Sequence, residues 1–242
     1  MATGEPSITR ERALNLPAPI TALAALLIAF HAIVVLGPIE WRVFAIGNFA
    51  FLPLRLVVSD GGPQAAWMWL SYAFLHGDWL HLGMNVLWLA VFGSPVLRRI
   101  GSGRFALLSV AGALGAVGLH AAVHWGSPVP VIGYSGVVSA LTGAAVRFAF
   151  GPVRFDPQRF EAASRMSIVQ TLTNRTSLTF VAIWMVANIL AGSGVLAPGG
   201  ARIAWEAHIG GFVTGLVLFG LFDHQRPAST NESSEPSEPI DR

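Results

Sequence analysis

The stretch "VIGYSGVVSALTG", residues 131–143, decides how this chain is read. It sets Ser135 between Gly133 and Gly136, at the head of an apolar run that continues to Phe150. A serine at a helix start sits among unpaired backbone N–H groups, where the helix dipole favours negative charge. Serine beside glycine is also ordinary capping, so its meaning depends on what surrounds it. The run 135–150 is shorter than the roughly 20 residues that cross a bilayer, so its first turn has to lie below the membrane surface. Ser135 is then sunk into the bilayer zone.

Composition supports that setting. Of 242 residues, 53% are hydrophobic and only 12% charged, and the mean hydropathy is +0.59, which together indicate an integral membrane protein. The fold class expected is all-α, a polytopic bundle of six transmembrane helices. Five apolar stretches approach full span length, at 18–38, 79–97, 103–123, 176–196 and 203–222, and 135–150 is the shorter sixth. The apolar stretch 44–58 is interrupted by Asn48, Pro53 and Arg55 and reads as an interfacial loop element rather than a span. The chain has no cysteine, which excludes disulfides, thiolate metal sites and cysteine nucleophiles. With a net charge of +2, no basic run is long enough to suggest a nucleic-acid partner, and none is expected.

Twelve arginines fall on the side of the termini, whereas Arg42, Arg55 and Arg202 fall on the other. Positive-inside bias then puts both termini in the cytoplasm and the start of the Ser135 helix toward the opposite face. Residues 1–15 read as a cytoplasmic arm with no apolar core, 16–224 as the membrane domain, and the proline-rich 225–242 as a disordered cytoplasmic tail.

Polar side chains inside spans are costly, so each is a functional candidate. "HGDWLHLGMN", 76–85, places His81 and Asn85 one turn apart on one helical face. "AHIGGFVTG", 207–215, places His208 ahead of Gly211 and Gly215, whose GxxxG spacing lets two backbones approach closely. Gly136 and Gly143 do the same for the Ser135 helix, so Ser135 and His208 can meet. A hydroxyl nucleophile, a histidine base and His81 and Asn85 as donors are the parts acyl transfer requires. Helix-to-helix hydrogen bonding is the competing account of each histidine or asparagine taken alone.

Together, GxSG at 133–136, a histidine followed by HxxxN at 76–85 and AHxGGxxxG at 207–215 resemble the rhomboid family of intramembrane serine proteases. The likeness extends in order and spacing over about residues 16–224. It implies Ser135 as nucleophile and His208 as base, with His81, Asn85 and the Ser135 N–H as the oxyanion hole. It implies that Gly133 shapes the loop, that Gly211 and Gly215 pack the last span on the Ser135 helix, and that His76 lies in the water-retaining region. The activity implied is hydrolysis of peptide bonds in or near transmembrane segments of single-pass or polytopic membrane proteins. The setting implied is a lipid bilayer, with no cofactor, metal or nucleic acid, and a bacterial inner membrane is the expected location. Two positions depart from the family pattern. Met68 follows Trp67 where an arginine is common. Ser139 stands where some members carry an aromatic packed on the histidine, so His208 is expected to be held less rigidly.

Rival chemistries find less support. HExxH is absent, and Asp60, Asp78, Asp156, Asp223 and Asp241 all fall in loops or tails, against metalloprotease and aspartyl mechanisms. His120 and His124 lie one turn apart but show no evident third ligand, so they read as an interfacial pair, and Glu206 reads as a loop-facing charge. No inverted repeat suggests a transporter. The main rival from another class is a catalytically silent relative that binds transmembrane helices; such relatives typically lose the serine or the histidine, and this chain has both.

Overall fold

The computed structural model describes residues 16–58, 62–151, 163–193 and 204–224. The expected arm 1–15 and tail 225–242 lie outside the described residues. α1 (Ala18–Leu36) carries Pro19 in its first turn, where the missing N–H costs no helical hydrogen bond, and ends at Gly37–Pro38. α2 (Ile39–Phe49) and α3 (Gln64–Ser71) belong to the long connection to the second span. α4 (Trp79–Trp88) is capped by Asp78, whose carboxylate accepts the His81 N–H at 2.7 Å. It passes through a π-helical turn, Leu89–Gly93, into α5 (Ser94–Ile100), so that Trp79–Ile100 forms one span. Pro95 lacks the N–H that would bond to Val91 and its ring crowds that carbonyl, which accounts for the widened turn before it. Gly101, at φ +78°, breaks the chain into α6 (Ser102–Val123). α7 (Ser135–Ala149), α8 (Ile168–Thr173), α9 (Arg175–Gly192) and α10 (Trp205–Phe222) complete the order.

Among the described residues, five helical segments are long and apolar enough to cross a membrane: Ala18–Leu36, Trp79–Ile100, Ser102–Val123, Arg175–Gly192 and Trp205–Phe222. α7, with 15 residues, spans only about 22 Å against a hydrocarbon core of about 30 Å. Its length is compensated by position: every residue from Gly136 to Phe148 is buried, so α7 is the central helix of the bundle. α10 makes its most extensive packing with α7 and α6. A Cβ at Gly211 would run into the Gly136 carbonyl, one at Gly215 into the Ala140 carbonyl, and one at Gly143 into the Phe212 carbonyl. On the other side a Cβ at Gly210 would strike the Gly115 carbonyl. Backbone contact of this kind needs glycine.

The stretch 44–58 corrects the reading of it as a loop element. Its first six residues complete α2. Pro53 then starts a 3₁₀ turn, Pro53–Leu56, because proline suits a first helical position but cannot donate within a longer ladder. The connection is stitched to itself without the arginine expected at position 68. Trp67 Nε1 donates to the Asn48 carbonyl at 2.7 Å, Ser71 Oγ to the Phe49 carbonyl at 2.8 Å, and Gln64 Nε2 to Asn48 Oδ1 at 3.1 Å. Met68 is fully buried. Arg42 reaches across to the Gly77 carbonyl at 3.0 Å, tying α2 to the approach to α4.

Candidate active site

The loop that delivers Ser135 is held by backbone. Val131 and Phe51 exchange hydrogen bonds of 2.8 and 3.0 Å, and the Gly133 N–H donates to the Tyr72 carbonyl at 3.0 Å. The Tyr134 N–H donates to His76 Nε2 at 3.4 Å. Gly133 sits at φ +121°, a backbone conformation that L side chains rarely adopt, and so turns the chain sharply into α7. Tyr72, itself buried, bonds the Ala113 carbonyl through its hydroxyl at 2.9 Å, which fixes this clamp to α6. Burial pushes its hydroxyl well above the ordinary tyrosine range. His76 is buried, and burial first, then His81 and His31, push its pKa down to about 3. It is a neutral acceptor for the loop.

Ser135 Oγ lies 2.8 Å from His208 Nε2. The other ring nitrogen, Nδ1, lies 2.5 Å from Asn188 Oδ1 on α9. The Asn188 amide is oriented by its own Nδ2, which donates to the Trp184 carbonyl at 2.7 Å and so turns Oδ1 toward the histidine. An acceptor at Nδ1 requires a proton there, and that leaves the Nε2 lone pair to accept the Ser135 hydroxyl proton. Ser135, His208 and the Asn188 amide thus meet from three helices, α7, α10 and α9.

Three backbone N–H groups, those of Ser135, Gly136 and Val137, open α7, and the first to be taken up is that of Val138, by the Tyr134 carbonyl. His81 hangs over this turn: a Cβ on Gly133 would come within 2.7 Å of His81 Nε2 and 3.5 Å of Ser135 Oγ. His81 Nδ1 accepts the Gly77 N–H at 3.4 Å, which assigns the remaining proton to Nε2 and aims a donor at the space beside Ser135. Asn85 is buried one turn below, with one amide hydrogen on the His81 carbonyl at 2.8 Å and the rest of its amide free of that bond. His76, His81, Gly133, Ser135, Gly136, His208 and Gly211 all gather at this end of the bundle, and Gly215 lies one turn further along α10.

Asn188 was legible but passed over. It interrupts the apolar run "FVAIWMVANILAG", 180–192, and the rule that singles out Asn85 applies to it equally. Glu206 corrects its reading as a loop-facing charge: it is buried, and its Oε1 accepts from His124 Nε2 at 2.9 Å.

The sequence profile described as the Rhomboid domain matches residues 63–225. The chain therefore belongs to the rhomboid family. Among curated proteins it is similar to one named Rhomboid protease GlpG from Serratia proteamaculans, 32% identical over 197 aligned positions, covering 75% of this chain and 62% of that protein. The protein of the same name from Klebsiella pneumoniae is 31% identical over 196 positions, with the same coverage. That from Yersinia enterocolitica is 29% identical over 212 positions, covering 81% of this chain and 66% of the relative. The chain thus spans less than two thirds of the length of these relatives.

Proposed function

We propose that this chain is an intramembrane serine endopeptidase that hydrolyses peptide bonds in or near transmembrane segments of single-pass or polytopic membrane proteins. The observation that carries the reading is the 2.8 Å contact between Ser135 Oγ and His208 Nε2 at the half-buried head of a short central helix. Ser135 attacks the substrate carbonyl while His208 Nε2 takes its proton. The His208 imidazolium then donates from both nitrogens, to the leaving amine and to Asn188 Oδ1. The developing oxyanion is met by the Ser135 N–H, by His81 Nε2–H and by Asn85, donors already placed before charge appears. Water, activated by the same histidine, hydrolyses the acyl-enzyme. Asn188 is neutral and contributes orientation rather than charge, a positioning residue that selects the base tautomer. Membrane-protein substrates suit the placement, because Ser135 lies on a helix enclosed by others long enough to cross a bilayer. A substrate helix has to unwind locally to present an extended peptide bond.

The bacterial origin of the relatives and the arginine distribution support a bacterial inner membrane with cytoplasmic termini. The test is cleavage of a reporter carrying one helix-breaking transmembrane segment by the purified protein, beside Ser135→Ala. Fragments cut near the Ser135 end of the bundle are expected from the unaltered chain and none from the variant.

A further inference from the structure

The Ser135 end of the bundle also carries a cluster of ionisable groups that proteolysis does not use. His120 and His124, one turn apart near the end of α6, face Glu206 in the first turn of α10, and one ligand atom from each lies within 4.8 Å of the other two. His124 Nε2 is 2.9 Å from Glu206 Oε1, and His120 Nδ1 is 3.6 Å from Glu206 Oε2. His120 is only 6% exposed, yet neither ring nitrogen has a hydrogen-bond partner. A buried imidazole with both nitrogens unused is expensive, and here its nearest polar neighbour is a carboxylate oxygen just beyond hydrogen-bond range.

We propose that His120, His124 and Glu206 form a binding site for a divalent transition-metal ion, with Zn²⁺ the best fit. Two imidazoles and one carboxylate are a donor set suited to zinc, and ligands held about 2.0–2.1 Å from a tetrahedral ion stand about 3.3 Å from one another. Each imidazole nitrogen stands within a few tenths of an ångström of that spacing from one carboxylate oxygen, His124 at 2.9 Å from Oε1 and His120 at 3.6 Å from Oε2. Binding needs no net loss of a proton: His124 moves its proton from Nε2 to Nδ1, His120 presents Nδ1 with its proton on Nε2, and Glu206 is ionised. The fourth position is left for water. The His124 side chain is 42% exposed, so an ion reaches the cluster from the aqueous end, while His120 closes it from within. The ion joins α6 to the first turn of α10, two residues ahead of His208, so it clamps the end of the helix that carries the histidine.

The test uses the full chain in mild detergent, freed of any histidine tag, dialysed against a chelator and titrated with zinc chloride by calorimetry, with thermal unfolding followed in parallel. One equivalent is expected to bind and to raise the unfolding midpoint by several degrees, and Co²⁺ in its place is expected to give the visible absorption of a tetrahedral nitrogen and oxygen site. His124→Ala, at a half-exposed position, and Glu206→Gln, which keeps the hydrogen bond to His124 but removes the carboxylate, should each weaken binding at least tenfold and abolish the midpoint shift. Less than one equivalent bound to the unaltered chain would overturn the proposal. So would binding and a midpoint shift that persist undiminished in both variants, since the ion would then sit elsewhere. None of these readouts depends on proteolysis.

Discussion

Asn188 is the residue that motif reading passed over and that the geometry makes consequential. Its carbonyl holds the proton of His208 on Nδ1, so Asn188→Leu should lower kcat by tenfold or more with little change in KM, in line with about 1.5–3 kcal/mol for a hydrogen bond to a group that becomes charged. Asn188→Asp keeps the acceptor and should recover most of that rate. Equal loss in both variants would reduce Asn188 to a packing role. The same contact corrects the expectation that Ser139, in place of an aromatic, leaves His208 loosely held: the restraint comes from α9 instead of from α7. His76 bears on pH. Its folded pKa, about 3, lies below the ordinary histidine value of 6.5, so the unfolded chain binds the extra proton first, and its contribution to stability is present above pH 6.5 and is lost as pH falls toward 3. Unfolding midpoints should therefore decline on acidification across that window, and less so in His76→Gln. Ser135, His208, His81 and Asn85 were legible as candidates because each is a polar group in or at the head of an apolar span and belongs to a spaced motif, Ser135 and His208 with glycines and His81 and Asn85 with each other. Asn188 satisfies the first condition but stands in no such pattern.

Helix positions were readable because about 20 apolar residues in a row leave little choice in a bilayer. The expected spans at 79–97, 103–123 and 203–222 correspond to Trp79–Ile100, α6 and α10 within a few residues. What hydropathy could not show is which faces meet, since lipid and protein interior are both apolar. That information lies in the glycines. Gly215 abuts the Ala140 carbonyl, so Gly215→Ala should destabilise the bundle by about 1–3 kcal/mol through overpacking and displace His208 as well. Gly118→Ala, on a face of α6 where a Cβ meets nothing within 4 Å, should be neutral or slightly stabilising. Thermal unfolding in detergent separates the two, and equal destabilisation would contradict the packing account. The helices α2 and α3 were missed for a different reason. Both are short, and the carbonyls at the end of α2 that Trp67 and Ser71 engage are tertiary partners no local pattern reveals.

Across the whole molecule, the end opposite Ser135 is held by arginines that the sequence reading used only as topology markers. Arg99 pairs with Asp223 at 2.9 Å with both side chains almost fully buried, and Arg147 donates to the Met166 and Leu216 carbonyls at 2.8 and 2.6 Å. These bonds join the ends of α5, α7 and α10, and loss of one partner leaves an uncompensated buried charge. Asp223→Ala should cost about 3–5 kcal/mol in unfolding measurements, whereas a loss under about 1 kcal/mol, usual for an exposed pair, would show the end to be hydrated. Because the chain has no cysteine, single cysteines at Arg10, Trp125 and Arg226 can be labelled without interference in intact cells. Labelling from outside is expected at Trp125 only. The proposed function requires the dyad at the head of α7 to cut peptide bonds within the membrane. It is tested most directly by reconstituting the chain in liposomes with a transmembrane reporter, beside Ser135→Ala and His208→Ala. Cleavage near the Ser135 end of the bundle by the unaltered chain and by neither variant is the predicted result. Cleavage that persists in either variant, or a reporter bound but left whole by all three, would contradict it.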